Sequence, residues 1–210
     1  MTGEVARELA RLGTATVYEA SGREGLIDAD LLQVVRDSRA AGPARTVRCG
    51  QGDNLMVHAA MERLQPGEIL VVTMPRPAPV GVVGELLATQ ARVRGAAGML
   101  IDAAVRDLDD LAEMGLPIWA RWVRVRGATK TEVGELDVPV EVGGARIRPG
   151  DIVVLDADGG AVVRAERARE VVVAAQAREA GERSKRAALQ AGSLSYDLDG
   201  LRAVVEGGRG

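Results

Sequence analysis

Phenylalanine is absent from this 210-residue chain, and two Trp with two Tyr leave aromatic residues at 2% of the composition. Stacking platforms for nucleic-acid bases are thereby excluded, and a core has to be filled by Val, Leu, Ile, Ala and Met. The single cysteine, Cys49, rules out an internal disulfide and a multi-cysteine zinc centre, and it reads as a small core residue. An excess of either charge is also lacking: 27 Lys and Arg against 30 Asp and Glu give a net charge of −3, which offers no basic surface to a phosphate backbone. No uninterrupted apolar run approaches the roughly 20 residues needed to cross a bilayer. The opening Met1-Thr2-Gly3-Glu4 is not a basic-then-apolar leader. The expectation is a soluble, cytoplasmic protein without membrane or nucleic-acid partners. The one histidine, His58, reads as a structural helix residue, and glycines 81 and 84 lack the spacing of a dinucleotide fingerprint.

Hydrophobic residues at 47% and charged residues at 27% are ordinary, and the length suits one domain or one domain with a helical appendage. Residues 4–12 carry Val5, Leu9 and Leu12 among charges, an amphipathic helix stopped by Gly13, and 14–20 begin another. A strand covers 44–49, Asp53 caps a helix over 54–64, and 69–74 form a buried strand before the proline-rich loop 75–79. A helix over 85–94, a buried strand within the apolar run 98–105, a short helix over 107–114 and a strand over 118–123 continue the alternation. From 138 onward, short strands at 138–142, 145–147, 152–155 and 161–163 alternate with Gly and Pro turns, as antiparallel hairpins do. Residues 166–190, rich in Ala, Arg and Glu, read as a long exposed helix whose Val171, Val172, Val173 and Leu189 need a surface to cover them. The glycine-rich end, 207–210, is expected to fray. The fold class is α/β.

Between Glu85 and Arg106 lie 20 residues, and Asp107 follows the arginine directly, so one stretch supplies two carboxylates and a guanidinium. The first carboxylate follows Gly81-Val82-Val83-Gly84 at a helix start, where free backbone N–H groups can face an anion. The other two groups close the apolar run 98–105, so the ends of two elements meet. Such a trio can hold a divalent cation beside an anionic substrate. Asp102 reads as a turn or strand-end group, and Asp109 and Asp110 favour a helix N-terminus.

The segments Gly84-Glu85-Leu86-Leu87-Ala88-Thr89, Arg94-Gly95, Ile101-Asp102, Val105-Arg106-Asp107, Gly127, Lys130, Val138-Pro139-Val140 and Pro149-Gly150-Asp151 resemble the class II pyruvate aldolases. Those enzymes cleave 4-hydroxy-4-methyl-2-oxoglutarate and 4-carboxy-4-hydroxy-2-oxoadipate, and they share a fold with the RraA-like regulators of ribonuclease E. The similarity runs from about residue 12 to 202 and rests most on the acidic residue, the 20-residue gap and Arg-Asp. It implies an RraA-like mixed β-sandwich core of the swivelling β/β/α type, flanked by helices. Residues 1–165 are then the catalytic domain, and 166–210 an extension that packs on a neighbouring subunit of a homotrimer or homohexamer.

The resemblance further implies dependence on Mg²⁺ or Mn²⁺. Asp107 is then the direct metal ligand, and Arg106 grips the pyruvyl part of the substrate. Glu85 stands where many members have Asp and holds metal-bound or catalytic water. The N–H groups of Leu86 and Leu87, beside Gly84, receive the substrate carboxylate. Lys130 matches a pocket lysine, and Glu182 a glutamate that reaches a neighbouring subunit's metal through water. Ala103-Ala104 replaces a turn that usually contains glycine, and a positive φ there would strain alanine.

Retro-aldol cleavage leaves the pyruvate half as an enolate, so stabilising charge on the ketone oxygen lowers the barrier. A hard dication held by one or two carboxylates suits that task, and the Arg106 fork adds a permanent positive charge. The expected activity is pyruvate-releasing aldol cleavage of a 2-oxo acid, with oxaloacetate decarboxylation at the same site. The alternative is a non-catalytic RraA-like regulator that binds a ribonuclease or another protein. Such regulators commonly lose the acidic position and the aspartate after the arginine, both of which stand here.

Overall fold

The computed structural model of the chain describes residues 2–207; of the tail expected to fray, 207–210, residue 207 ends a helix and 208–210 lie outside the described residues. Helices α1 (Thr2–Leu12) and α2 (Thr14–Ala20) lead into short strands β1 (Leu26–Ile27) and β2 (Leu32–Gln33) and the long strand β3 (Ala40–Arg48). An alternating stretch follows: α3 (Leu55–Arg63), β4 (Ile69–Thr73), β5 (Gly81–Val83), α4 (Glu85–Val93), β6 (Gly98–Val105), α5 (Leu108–Met114) and β7 (Ile118–Val123). Strands β8 (Glu135–Leu136), β9 (Val140–Val142), β10 (Ala145–Ile147), β11 (Ile152–Asp156) and β12 (Gly159–Val163) come next. Helices α6 (Ala168–Gln190), α7 (Ser195–Leu198) and α8 (Leu201–Gly207) close the described chain. The α/β class and the long C-terminal helix are as the sequence implies.

The strands form one mixed sheet in the order β1-β12-β11-β3-β4-β6-β7-β2, with β5 added to β6 and β8 to β3, beside a separate β9–β10 hairpin. Strand β3 joins its two halves: residues 40–43 pair antiparallel with β11, and 44–48 pair parallel with β4. Pro43 stands at the switch, where its missing N–H falls as the partner strand changes. Gly42 is required by close approach, since a Cβ there would lie 2.1 Å from the Gly67 carbonyl oxygen. The strand thus begins four residues earlier than the sequence reading places it, because Gly42-Pro43 reads as a breaker.

Alternation along the central strands sorts their side chains between two faces. Leu70, Val72, Met99, Ile101, Ile118 and Ala120 pack with α3, α4 and α5. Ile69, Val71, Leu100 and Trp119 face the other way and meet Val142 and Ile147 of the β9–β10 hairpin. Each large aliphatic side chain so buried contributes about 1.5–3 kcal/mol. The sheet curls enough that Trp119 Nε1 on β7 donates a 2.8 Å hydrogen bond to the Asp156 carbonyl at the end of β11, although β3, β4 and β6 separate the two strands. That curl gives the sheet its sandwich-like core.

A third cluster joins Leu9, Leu12 and Val17 to Ile152, Val154, Val171 and Ala175, and so seats the first half of α6 on α1 and α2. Val171 is therefore covered within the chain, whereas Val173 and Leu189 remain exposed. Cys49 is a core residue as read, and burial pushes its thiol up to about 12. Among the described residues no helix is long and apolar enough to cross a membrane.

Candidate active site

Strands β5 and β6 run parallel, with Val83 level with Val105, so both chains leave the sheet at one edge. Their next residues, Gly84-Glu85 and Arg106-Asp107, then lie side by side, and the Arg106 N–H donates to the Val83 carbonyl at 3.0 Å. A side chain on Gly84 would displace the Asp107 carboxylate: a Cβ would sit 2.3 Å from Asp107 Oδ2 and 3.1 Å from Arg106 Cγ. The Glu85 N–H, first in α4, donates to Asp107 Oδ2 at 3.1 Å, and Arg106 Nε lies 3.7 Å from the same oxygen. The structure thus joins Gly84, Glu85, Arg106 and Asp107 across the 20-residue gap.

Asp107 is left-handed, at φ 61 and ψ 47, and caps the start of α5. Aspartate tolerates this region better than most residues, yet the conformation still costs about 1 kcal/mol and turns the carboxylate back toward Gly84. Ala103 and Ala104 lie within extended β6, so the strain that a missing glycine would cause there is absent; the left-handed residue stands at the aspartate instead. Leu86 and Leu87 occupy the first turn of α4, where their N–H groups have no intrahelical acceptor and remain open to an anion.

The Glu85 carboxylate turns along its own helix and accepts the Thr89 hydroxyl at 2.8 Å, so Glu85 touches Asp107 through its backbone rather than its side chain. Lys130 is exposed and makes no hydrogen bond or ion pair among the described residues; after burial, its charge is the second cause that lowers the pKa of His58 on α3. Glu182 lies on α6, where its ion-pair partner among the described residues is Arg178 at 2.9 Å. Within one chain nothing joins it to the Asp107 cluster.

A third wall comes from residues 126–132. The Gly81 N–H donates to the Arg126 carbonyl at 2.7 Å, and a side chain on Gly127 would begin 3.0 Å from Arg106 Nη1. Behind this wall Asn54 donates from Nδ2 to the Val82 carbonyl at 2.8 Å, while its buried Oδ1 has no partner. The N-cap of α3 is Asn54 rather than Asp53 as read, but Asp53, one residue before it, accepts the Leu55 N–H and also binds the 129–132 segment. Burial alone would raise its pKa, but hydrogen bonds from Thr131, Thr129, Leu55 and Glu132 outweigh that and hold it at about 2. Sequence periodicity gave no sign of this second role, which rests on contacts between distant segments.

Two facts bear on a metal. No group of three or more His, Cys, Asp or Glu side chains is clustered for metal binding among the described residues, which excludes a zinc-type cage there. The half-exposed Asp107 carboxylate engages the protein through Oδ2 alone, which leaves Oδ1 for a hard cation. One or two carboxylates with several retained waters is the donor set that Mg²⁺ takes.

On the opposite face of β6, Asp102 is buried and accepts a 2.6 Å hydrogen bond from Arg121 Nε. Burial raises its pKa against the pull of that guanidinium. The pair borders a cavity of about 860 Å³ that Arg48, Glu141 and Arg146 also line, and that excludes Arg106 and Asp107.

Residues 14–163 match the family described as RraA-like, Aldolase/RraA. The chain is 33% identical over 170 residues to a Halalkalibacterium halodurans protein named provisionally as a 4-hydroxy-4-methyl-2-oxoglutarate aldolase, spanning 81% of this chain and 79% of that one. A Burkholderia mallei protein with the same provisional name is 39% identical over 121 residues, 58% of this chain and 73% of its own. Among solved structures, Streptomyces coelicolor RraAS2, described as an unusual member of the RNase ES inhibitor RraA protein family, aligns with a TM-score of 0.79 at 32% identity, covering 89% of this chain and 97% of that one.

Proposed function

The chain belongs to the RraA-like family, and on that premise we propose that it is a divalent-metal-dependent aldolase that cleaves a 4-hydroxy-2-oxo acid to pyruvate and a second oxo acid. The observation that carries this reading is the meeting of Arg106, Asp107 and the open first turn of α4 at one sheet edge. Substrates of the class are 4-hydroxy-4-methyl-2-oxoglutarate and 4-carboxy-4-hydroxy-2-oxoadipate, and oxaloacetate decarboxylation is a side activity of the same site.

Asp107 would hold Mg²⁺ or Mn²⁺, with Glu85 and a neighbouring subunit's Glu182 acting through water; when bound, the cation stabilises the charge that develops on the substrate's keto oxygen. The Leu86 and Leu87 N–H groups receive the substrate carboxylate at a helix N-terminus. Arg106 places a permanent fork of donors on the pyruvyl oxygens, where charge grows as the carbon–carbon bond breaks. The Glu85 carboxylate holds a water that takes the 4-hydroxyl proton and returns a proton to the pyruvate carbon. Lys130 adds a positive charge at the rim. In this reading the chain forms a homotrimer or homohexamer, the part of 166–210 not seated on α1 and α2 packs across to a neighbour, and the exposed Val173 and Leu189 are covered there.

The test is pyruvate release from the two hydroxy-oxo acids and from oxaloacetate, with Mg²⁺ or Mn²⁺ and after chelation. Cleavage that stops on chelation and returns with metal supports the reading; cleavage that survives chelation overturns it. The similarity to RraAS2 favours a second reading, a regulator that binds a ribonuclease. Stoichiometric inhibition of a ribonuclease E by a chain that releases no pyruvate would establish that alternative.

A further inference from the structure

Lys130 sits in the middle of a surface segment, and one carboxylate grips that segment on both sides of it. Asp53 Oδ2 accepts the Thr129 hydroxyl at 2.7 Å before the lysine, and the N–H groups of Thr131 and Glu132 at 2.6 and 3.1 Å after it. Oδ1 accepts the Leu55 N–H at 2.7 Å at the start of α3. Two backbone bonds complete the seam, Asn54 N–H to Thr129 carbonyl at 2.9 Å and Thr129 N–H to Gly52 carbonyl at 3.1 Å.

Asp53 is 0% exposed and has no ion-pair partner among the described residues. Burying an uncompensated carboxylate is costly unless donors surround it. Capping α3 does not call for that cost, because Asn or Ser caps a helix as well as Asp does and needs only one acceptor. Here the helix start uses Oδ1, while the donors on Oδ2 all belong to 129–132. The same stretch continues back through Gly127, where an added Cβ would lie 3.0 Å from Arg106 Nη1.

We propose that Asp53 is the positioning residue of the site: its buried carboxylate fixes the 127–132 segment so that Lys130 and the Gly127 wall face the substrate half held by Arg106. The inference rests on the aldolase reading for what Lys130 meets, and on the Asp53 hydrogen bonds for why Lys130 stands there.

The test is a double-mutant cycle on the full chain with the metal present: wild type, Asp53→Asn, Lys130→Ala and the double variant, each measured for kcat and KM of pyruvate release. In Asp53→Asn one acceptor oxygen becomes an NH₂ that faces backbone donors, and kcat/KM is expected to fall about 100-fold, the scale of a small misplacement of a reacting group. Lys130→Ala is expected to fall by a similar factor. Because both act through one group, the double variant is expected within about threefold of Lys130→Ala alone. A double variant that loses the full product of the two single losses, or an Asp53→Asn protein with wild-type kcat/KM, overturns the proposal.

Amide hydrogen exchange supplies a readout that does not need turnover. Asp53→Asn is expected to speed exchange at 129–132 by about tenfold or more while β4 and β6 stay protected. Unchanged exchange at 129–132 overturns the proposal, whereas a wild-type chain with no aldol cleavage overturns the aldolase reading and leaves the exchange result to decide the seam. Should Asp53→Asn fail to fold, Thr129→Val removes one hydroxyl donor alone, and the same cycle is run with it.

Discussion

Strand β6 carries Asp102, paired with Arg121 of β7, within its length and the Arg106-Asp107 pair just past its end, and the two pairs differ in distance and exposure. Asp102 and Arg121 lie 2.6 Å apart, with the carboxylate side chain 4% exposed and the guanidinium 21% exposed. Arg106 and Asp107 lie 3.7 Å apart, too long for a hydrogen bond, and are 48% and 40% exposed. The first carboxylate is nearly withdrawn from water and committed to one guanidinium. The second takes only a backbone N–H and leaves an oxygen uncommitted, on a residue held in an uncommon conformation. Distance and exposure, rather than residue type, separate the pair that holds the sheet from the pair that can take a ligand.

The largest effect expected from breaking this contrast is Asp107→Asn, which removes the charge but keeps the shape and the tolerance for a left-handed backbone. Pyruvate release should fall by about 1000-fold or more, while thermal unfolding shifts stability by less than about 0.5 kcal/mol. Asp102→Ala should do the reverse: loss of about 3 kcal/mol in denaturant unfolding, since removing one member strands a largely buried charge. An Asp102→Ala protein as stable as wild type would erase the distinction. Arg106→Lys keeps the charge and loses the fork, and should cost about 100-fold in kcat/KM with little change in stability.

Acid sharpens the comparison by adding Asp53. Hydrogen bonds hold its pKa at about 2, so the stability it supplies is present above about pH 4, the unfolded carboxylate value, and is lost as the pH falls through 2. Asp102 has its pKa raised, so across its own window the folded state binds the proton more readily and gains stability as pH falls. Hydrogen exchange followed down the pH scale should show 129–132 loosening while β6 holds. The smallest effect contrasts two replacements at one site: Asp107→Ala should be about 1 kcal/mol less stable than Asp107→Asn, because alanine pays more for positive φ.

Much of this was readable beforehand where local pattern decides structure. The apolar runs of β4 and β6, the helix start at Glu85 and the hairpins after 138 follow from periodicity and turn residues. The meeting of Glu85 with Arg106 and Asp107 followed from the resemblance and from strand ends sharing an edge. Other features depend on contacts that no local window contains. Pro43 reads as a breaker unless one knows that β3 changes partners there. The left-handed Asp107 turns its carboxylate to the N–H of Glu85, 22 positions away, and the seam at Asp53 joins residues 76 to 79 positions apart. Asp102 reads as a turn residue from sequence, because the arginine that makes its burial tolerable lies 19 positions away on β7.

The Trp119 bond to Asp156 also makes the molecule its own spectroscopic gauge. With two tryptophans in the chain and Trp119 fully buried on the concave side, its emission reports whether β7 and β11 stay drawn together. Ligands filling the edge beyond β5 should leave that signal still, whereas unrolling of the sheet should redden it as the indole reaches water.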